Sequence, residues 1–148
     1  MVSSTDELGA FEWTVDAEVG RQFSTGVRVI RRRAARGRLP RRVIVHLGTN
    51  GAIDPAECDA LVEAVGTRRR VFLVTVKVPR GWQDANNDIL QACAAAFEKV
   101  HVIRWYAHSR QHDEWFAQDG YHLNAAGQDE YASFLQERVD ATLRQLRG

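Results

Sequence analysis

Asp119 and His122 stand three residues apart in "QDGYHLNAAG" (118–127), with Gly120 between them. A carboxylate on one ring nitrogen fixes the tautomer of a histidine and stabilises the imidazolium formed when the other nitrogen takes a proton. The pair is therefore a candidate base with its orienter. Such a base needs a nucleophile to deprotonate and donors to hold an oxyanion. Asn50, in the turn "GTNG", could offer its side-chain amide to a developing negative charge, and Gly20, at the mouth of a helix, its backbone N–H. Each has a plainer reading: an exposed loop histidine, one half of an Asn-Gly turn, and a tight turn into a helix. Arg21, Trp82 and Trp115 lie on or beside the same loops and are candidates for substrate contact.

The elements that must position these residues alternate along the chain. "WTVDAEV" (13–19) alternates apolar and polar residues and predicts a strand that stops at Gly20. A helix follows over about 21–36, closed by Gly37 with Pro40 beyond it. "RVIVHL" (42–47) is a β-branched run that predicts a strand buried on both faces. Asp54-Pro55-Ala56-Glu57 opens the next helix with an N-cap, a proline and a capping-box glutamate, and Gly66 ends it. "RVFLVTVKV" (70–78) predicts a strand, 84–99 a helix and "VHVIRWY" (100–106) the last strand. A polar, aromatic-rich loop (107–121) leads to Asn124, the expected cap of a long helix ending near Leu146. Its apolar side should carry Tyr131, Phe134, Leu135, Val139, Leu143 and Leu146. Continuous apolar strands between helices imply a parallel sheet covered on both faces, with ligands bound at the carboxyl ends of the strands. Gly20, Asn50 and the Asp119–His122 pair should gather on that rim.

The 148 residues fit one domain, and a hydrophobic content of 45% is ample for its core. The expectation is an irregular segment over 1–11 and one α/β domain over 12–148. No apolar stretch is long enough to span a bilayer, and the first residues lack the pattern of a secretory signal, so the chain as written reads as soluble. Arginines crowd 27–42, yet Phe23, Val27, Ile30 and Ala34 recur at helical spacing, which puts most of the charge on a solvated face. With a net charge of only +1, nucleic acid is not an expected partner. Cys58 and Cys93 are too few and too far apart for a metal site. They read as buried thiols or, outside the cytoplasm, one disulfide. No metal and no cofactor are expected, and no Gly-rich phosphate loop supports nucleotide binding.

"VGRQ" after a strand, "HLGTNG" after the next and "DGYHL" before the last helix occur in an order and spacing that resemble the SGNH hydrolase superfamily. The likeness is nearest to the SGNH domain attached to membrane acyltransferases that O-acetylate peptidoglycan or other surface glycans, and it covers about 12–147. The resemblance implies a flavodoxin-like, three-layer α/β/α fold. It also implies Gly20 and Asn50 as oxyanion-hole donors, Asp119 and His122 as acid and base of a triad, and an acyl ester or carbohydrate as substrate. A longer parent with a membrane acyltransferase domain would place the chain outside the cytoplasm.

One block of the pattern is not matched. The family's nucleophile is the serine of a Gly-Asp-Ser motif after a first, interior strand. Ser3 and Ser4 have no strand before them, Ser24 falls in a helix, and Ser109 sits in the loop beside the base. The nucleophile is thus unknown. The fold is expected to lack the family's first strand and helix, through an N-terminal truncation, through degeneration to an inactive glycan-binding module, or because another chain supplies the piece. Unpaired strand edges would favour self-association.

Overall fold

Each of three parallel strands is followed by a helix, which is how the computed structural model, describing residues 13–148, builds its sheet. The strands are β1 (Arg42–Val45), β2 (Arg70–Val74) and β3 (Val100–Ile103), in the order β1-β2-β3. Arg42 pairs with Arg70, and Val71 with Val100, so the strands start level with one another. Alternation along β2 splits the core. Val71 and Leu73 pack with Phe23, Val27 and Ile30 of α1 (Phe23–Ala35), Leu61 and Val65 of α2 (Ala56–Val65), and Leu90 of α3 (Gln83–Ala96). Phe72 and Val74 face Leu135, Val139 and Leu143 of α5 (Ala125–Arg147), with Trp105 of the short α4 (Trp105–Ser109). The result is an α/β/α arrangement with a parallel sheet buried on both faces, consistent with a flavodoxin-like fold.

Local signals act where the sequence puts them. Asp54 Oδ1 accepts from the Ala56 N–H at 2.9 Å, and Asn124 Oδ1 accepts from the Gly127 N–H at 2.9 Å, so each side chain satisfies a donor that a helix start leaves over. Cys58 of α2 and Cys93 of α3 form a disulfide, which resolves the alternative left open by their spacing.

Four expectations need correction. The segment 13–19 is not a strand: its backbone has no ladder partner among the described residues, and Val19 is 99% exposed. Side chains hold it instead, with the Trp13 indole donating to Gln136 at 3.2 Å and Asp16 bonding Arg33 at 2.6 Å and Arg21 at 2.9 Å. Alternation gives a strand only where a neighbour offers an edge. The second strand stops at Val74, although 75–78 stays extended and buried, because β1 and β3 have already ended and Asn87 takes over both backbone groups of Val76. The third strand stops at Ile103, and Trp105 begins α4, inside the stretch expected to be strand and loop. Leu146, expected on the apolar side of α5, is 45% exposed, since the helix outruns the sheet. Ser3, Ser4 and the segment 1–11 lie outside the described residues.

Candidate active site

The turn that carries Asp119 and His122 is closed by its own short-range bonds. Asp119 Oδ1 accepts the backbone N–H groups of Tyr121 (3.1 Å) and His122 (3.0 Å), while Oδ2 lies 2.5 Å from His122 Nδ1. Gly120, at φ 79°, supplies the left-handed residue that lets the chain fold back so tightly. The Ala117 N–H donates to His122 O at 2.8 Å, and Phe116 pairs with Leu123. The His122 imidazole and the two backbone donors hold the Asp119 carboxyl well below its ordinary range, at about 2. His122 is 66% exposed on its side chain, and its Nε2 has no hydrogen-bond partner among the described residues. One nitrogen is therefore occupied by a carboxylate and the other is open.

Two other histidines also meet carboxylates: His108 with Glu130 at 2.8 Å and His112 with Glu114 at 2.7 Å. They differ in setting. His108 stacks on Phe134 with ring centroids 4.0 Å apart, and His112 stacks on Trp115 at 3.9 Å, so both rings are part of aromatic packing. A carboxylate beside a histidine is thus not in itself a mark of chemistry in this molecule. What sets His122 apart is its exposure at the rim, 66% of its side chain against 35% for His108 and 43% for His112.

Lys77, just beyond β2, fastens this turn to the sheet. Its ammonium is 3.0 Å from Asp113, 3.5 Å from the Gly120 carbonyl and 4.0 Å from the centre of the Phe116 ring. Nothing in the sequence singled out Lys77, because its partners lie 36 and 43 residues away.

Asn50 and Gly20 sit at the carboxyl end of β1. The Gln22 side chain, one turn into the approach to α1, donates to the Asn50 carbonyl and so ties the Gly20 loop to the "GTNG" loop. Asn86 of α3, 1% exposed, braces that loop from beneath. It accepts from the Ile53 N–H at 2.8 Å and donates to the carbonyls of Gly48 (2.9 Å) and Gly51 (2.8 Å). Gly48 and Gly51 both have positive φ, so the loop keeps a shape that side chains there would strain. The Asp119–His122 turn and the Asn50 loop thus follow neighbouring parts of one sheet rim. Among the described residues no hydrogen bond joins them directly.

The three candidate contact residues fare differently. Arg21 is 11% exposed on its side chain and is bound to Asp16 and Glu18. Trp115 lies between His112 and Trp105 in the aromatic cluster. Trp82 is half-buried, with its indole N–H enclosed and lacking a partner among the described residues. Among the described residues the serines offer no match to the base. Ser109 is fully buried and donates to Trp105 O at 2.8 Å, and Ser24 and Ser133 are exposed on α1 and α5.

A cavity of about 720 Å³ follows the outer edge of β1, between the 13–16 segment and Val43–Leu47, with Val139 of α5 on its wall. β1 pairs only with β2 among the described residues, so the backbone groups of its other edge face this groove. His46 lines the groove where it nears the rim, and its Nδ1 is 2.6 Å from Tyr131 Oη. Burial pushes His46 down to about 4 and the Tyr131 phenol up, so Tyr131 donates and His46 is neutral. Among the described residues no cluster of His, Cys, Asp or Glu is arranged to hold a metal, and no helix is long and apolar enough to cross a membrane.

No family model matches the chain. Its sequence is similar to the O-acetyltransferase OatA of Staphylococcus aureus, at 33% identity over 117 residues, which cover 76% of this chain and 19% of that protein. It is also similar to the peptidoglycan O-acetyltransferase OatA of Listeria monocytogenes, at 35% identity over 123 residues, covering 82% of this chain and 19% of that protein. The matched stretch is thus a minor part of each relative's length.

Proposed function

On the premise that the chain is homologous to one stretch of O-acetyltransferases, including one named for peptidoglycan, we propose that it is the base-bearing part of an SGNH-type O-acyltransferase or esterase acting on acyl esters of cell-surface glycans. The observation that carries this reading is the His122 ring, held through Nδ1 by Asp119 and open at Nε2. A serine hydroxyl would attack the acyl carbonyl while Nε2 takes its proton. The charge of Asp119 would stabilise the imidazolium, and the Gly20 N–H and Asn50 amide would hold the tetrahedral oxyanion. Collapse would expel the alcohol, protonated by His122, and leave an acyl-serine. A sugar hydroxyl attacking that ester gives transfer; water gives hydrolysis.

The serine would arrive on an extended segment seated in the groove beside β1, as an interior strand whose carboxyl end reaches the rim near His46. The size of that groove and its course along β1 support this placement. In a longer parent the segment would precede this stretch. The burial of Ser109 favours a second reading for the chain by itself, that of a glycan-binding module without turnover.

One experiment separates the two. The 148-residue chain is assayed on an activated acetyl ester, alone and with an N-terminal extension that carries a β-branched strand ending in Gly-Asp-Ser. Turnover by the extended protein, abolished by His122→Ala and weak in the chain alone, supports the catalytic reading. Brisk turnover by the chain alone would point to a nucleophile within it, and an inert extended protein would favour the binding module.

A further inference from the structure

The end of the sheet opposite the Asp119–His122 turn is crowded with arginine. All three strands start there, and so do the segments that feed them, with the Arg70 N–H on Arg41 O and the Val71 N–H on Lys99 O. α5 reaches the same end. It begins at the rim with Asn124, passes the carboxyl end of β1 where Tyr131 meets His46, and runs on for sixteen further residues to Arg147. Two cations here have structural work. Arg69 donates to Val65 O (2.9 Å) and Leu39 O (3.0 Å), and Lys99 to Val62 O (3.0 Å), which satisfies carbonyls at the end of α2. That account does not reach Arg36, Arg38, Arg41, Arg68 and Arg144, and Arg147 reaches only the Leu143 carbonyl of its own helix, at 3.3 Å. All six are exposed and make no ion pair among the described residues. The carboxylates nearest them in the chain are Asp140, one turn before Arg144 on α5 and bonded to Gln136, and Glu63, five residues before Arg68.

Because the whole chain carries a net charge of only +1, an excess of arginine at one end leaves the remainder net negative. Such a molecule is oriented by any strongly charged surface it approaches. Two further observations narrow the surface. The Cys58–Cys93 disulfide belongs to an oxidising compartment, which removes the nucleic acids of the cytosol. Leu146, 45% exposed, stands between Arg144 and Arg147 on the last turn of α5. An apolar side chain flanked by arginines suits the boundary between lipid headgroups and acyl chains, and has no use for a soluble polyanion.

We propose that this arginine end is a docking face for an anionic lipid surface. The six arginines meet headgroup phosphates, and Leu146 enters the interface. The Asp119–His122 turn is held on the far side, facing away from the bilayer at roughly the length of α5, about 35 Å. Electrostatic attraction of this kind acts only within a Debye length of about 8–10 Å at ordinary salt, so the end must sit directly on the surface. The docking stands on charge and placement alone, whatever the chemistry at His122.

The test is sedimentation of the full chain with vesicles of phosphatidylcholine alone or mixed with equal phosphatidylglycerol. Binding should favour the anionic vesicles and weaken as salt is raised. The variant Arg38→Gln/Arg68→Gln/Arg144→Gln should lose roughly tenfold or more. A control that removes three exposed arginines elsewhere, Arg28→Gln/Arg80→Gln/Arg110→Gln, should keep its binding. Leu146→Gln should weaken vesicle binding yet leave the binding of soluble polyphosphate unchanged. Melting curves confirm that each variant is folded. Equal binding to both vesicles, equal losses in the two triple variants, or binding of polyphosphate without binding of vesicles would each overturn the proposal.

Discussion

His122 presents Nδ1 to Asp119 Oδ2 at 2.5 Å while its own backbone N–H donates to the other oxygen of the same carboxylate at 3.0 Å. Imidazole and carboxylate are thereby one local unit, placed by a three-residue turn rather than by the meeting of distant elements. The rest of the fold has only to carry that turn to the rim, and Lys77 does so.

The Asp119 carboxyl, held down to about 2, sets the first prediction. Its folded value lies below the unfolded one of about 3.9, so its contribution to stability is complete above pH 4 and fades as pH falls through about 2. A carboxyl-carbon NMR titration should find Asp119 still ionised at pH 3. A midpoint near 4 would mean that the contact with His122 is absent in solution.

His46 behaves in the same direction for a different reason. Burial lowers it to about 4, so between pH 6.5 and 4 the unfolded chain binds a proton that the native state refuses. Stability should fall as pH is lowered through that window, by up to about 1.4 kcal/mol per pH unit. Urea denaturation at pH 7 and pH 5 measures the slope, and His46→Gln should flatten it. An unchanged slope in that variant would assign the effect to another group.

Asn86→Ala should cost about 2–4 kcal/mol, because it leaves the Ile53 N–H and the carbonyls of Gly48 and Gly51 without their buried partner. The loop bearing Asn50 should loosen, and hydrogen exchange of the Ile53 amide should quicken. Protection equal to that of the parent protein would show that the brace is dispensable.

Gly127→Ala reverses an ordinary expectation. Alanine favours a helix over glycine by about 1 kcal/mol, yet a Cβ at this position would run into the Trp115 carbonyl. Overpacking against backbone costs about 1–3 kcal/mol. The melting temperature should therefore drop, with shifted resonances at Trp115 and His122. A rise in melting temperature would count against the close approach of α5 to that segment.

What the sequence made legible was local. The cap at Asn124, the apolar stripe of α1 and the Asp119–His122 spacing are all read within one turn of chain, and all appear in the structure; α2 starts one residue later than read, with Pro55 at its cap and Asp54 bonding the Ala56 N–H. Relations that span distance left no such trace. Gln22 with Asn50, Asn86 with Gly48, and Lys77 with Gly120 join residues 28 to 43 apart, and no periodicity announces them. The segment 13–19 misled because alternation reports a two-sided chain and says nothing of whether a neighbouring strand lies beside it. Leu146 misled because its helical spacing continues beyond the sheet that gives the rest of the stripe something to cover.

The strand order β1-β2-β3 bears on how the chain assembles in time. Each strand pairs with the next one synthesised, across a single helix, so little loop-closure entropy is spent before a contact is made. The Cys58–Cys93 link lies wholly inside this run, between α2 and α3. It can close as soon as α3 has docked, before α5 arrives. The first three helices with their sheet would then form an early, covalently secured half. The face under Phe72 and Val74 would stay uncovered until the last helix lays Leu135, Val139 and Leu143 across it. That final docking step is where a folding intermediate of this chain should be sought.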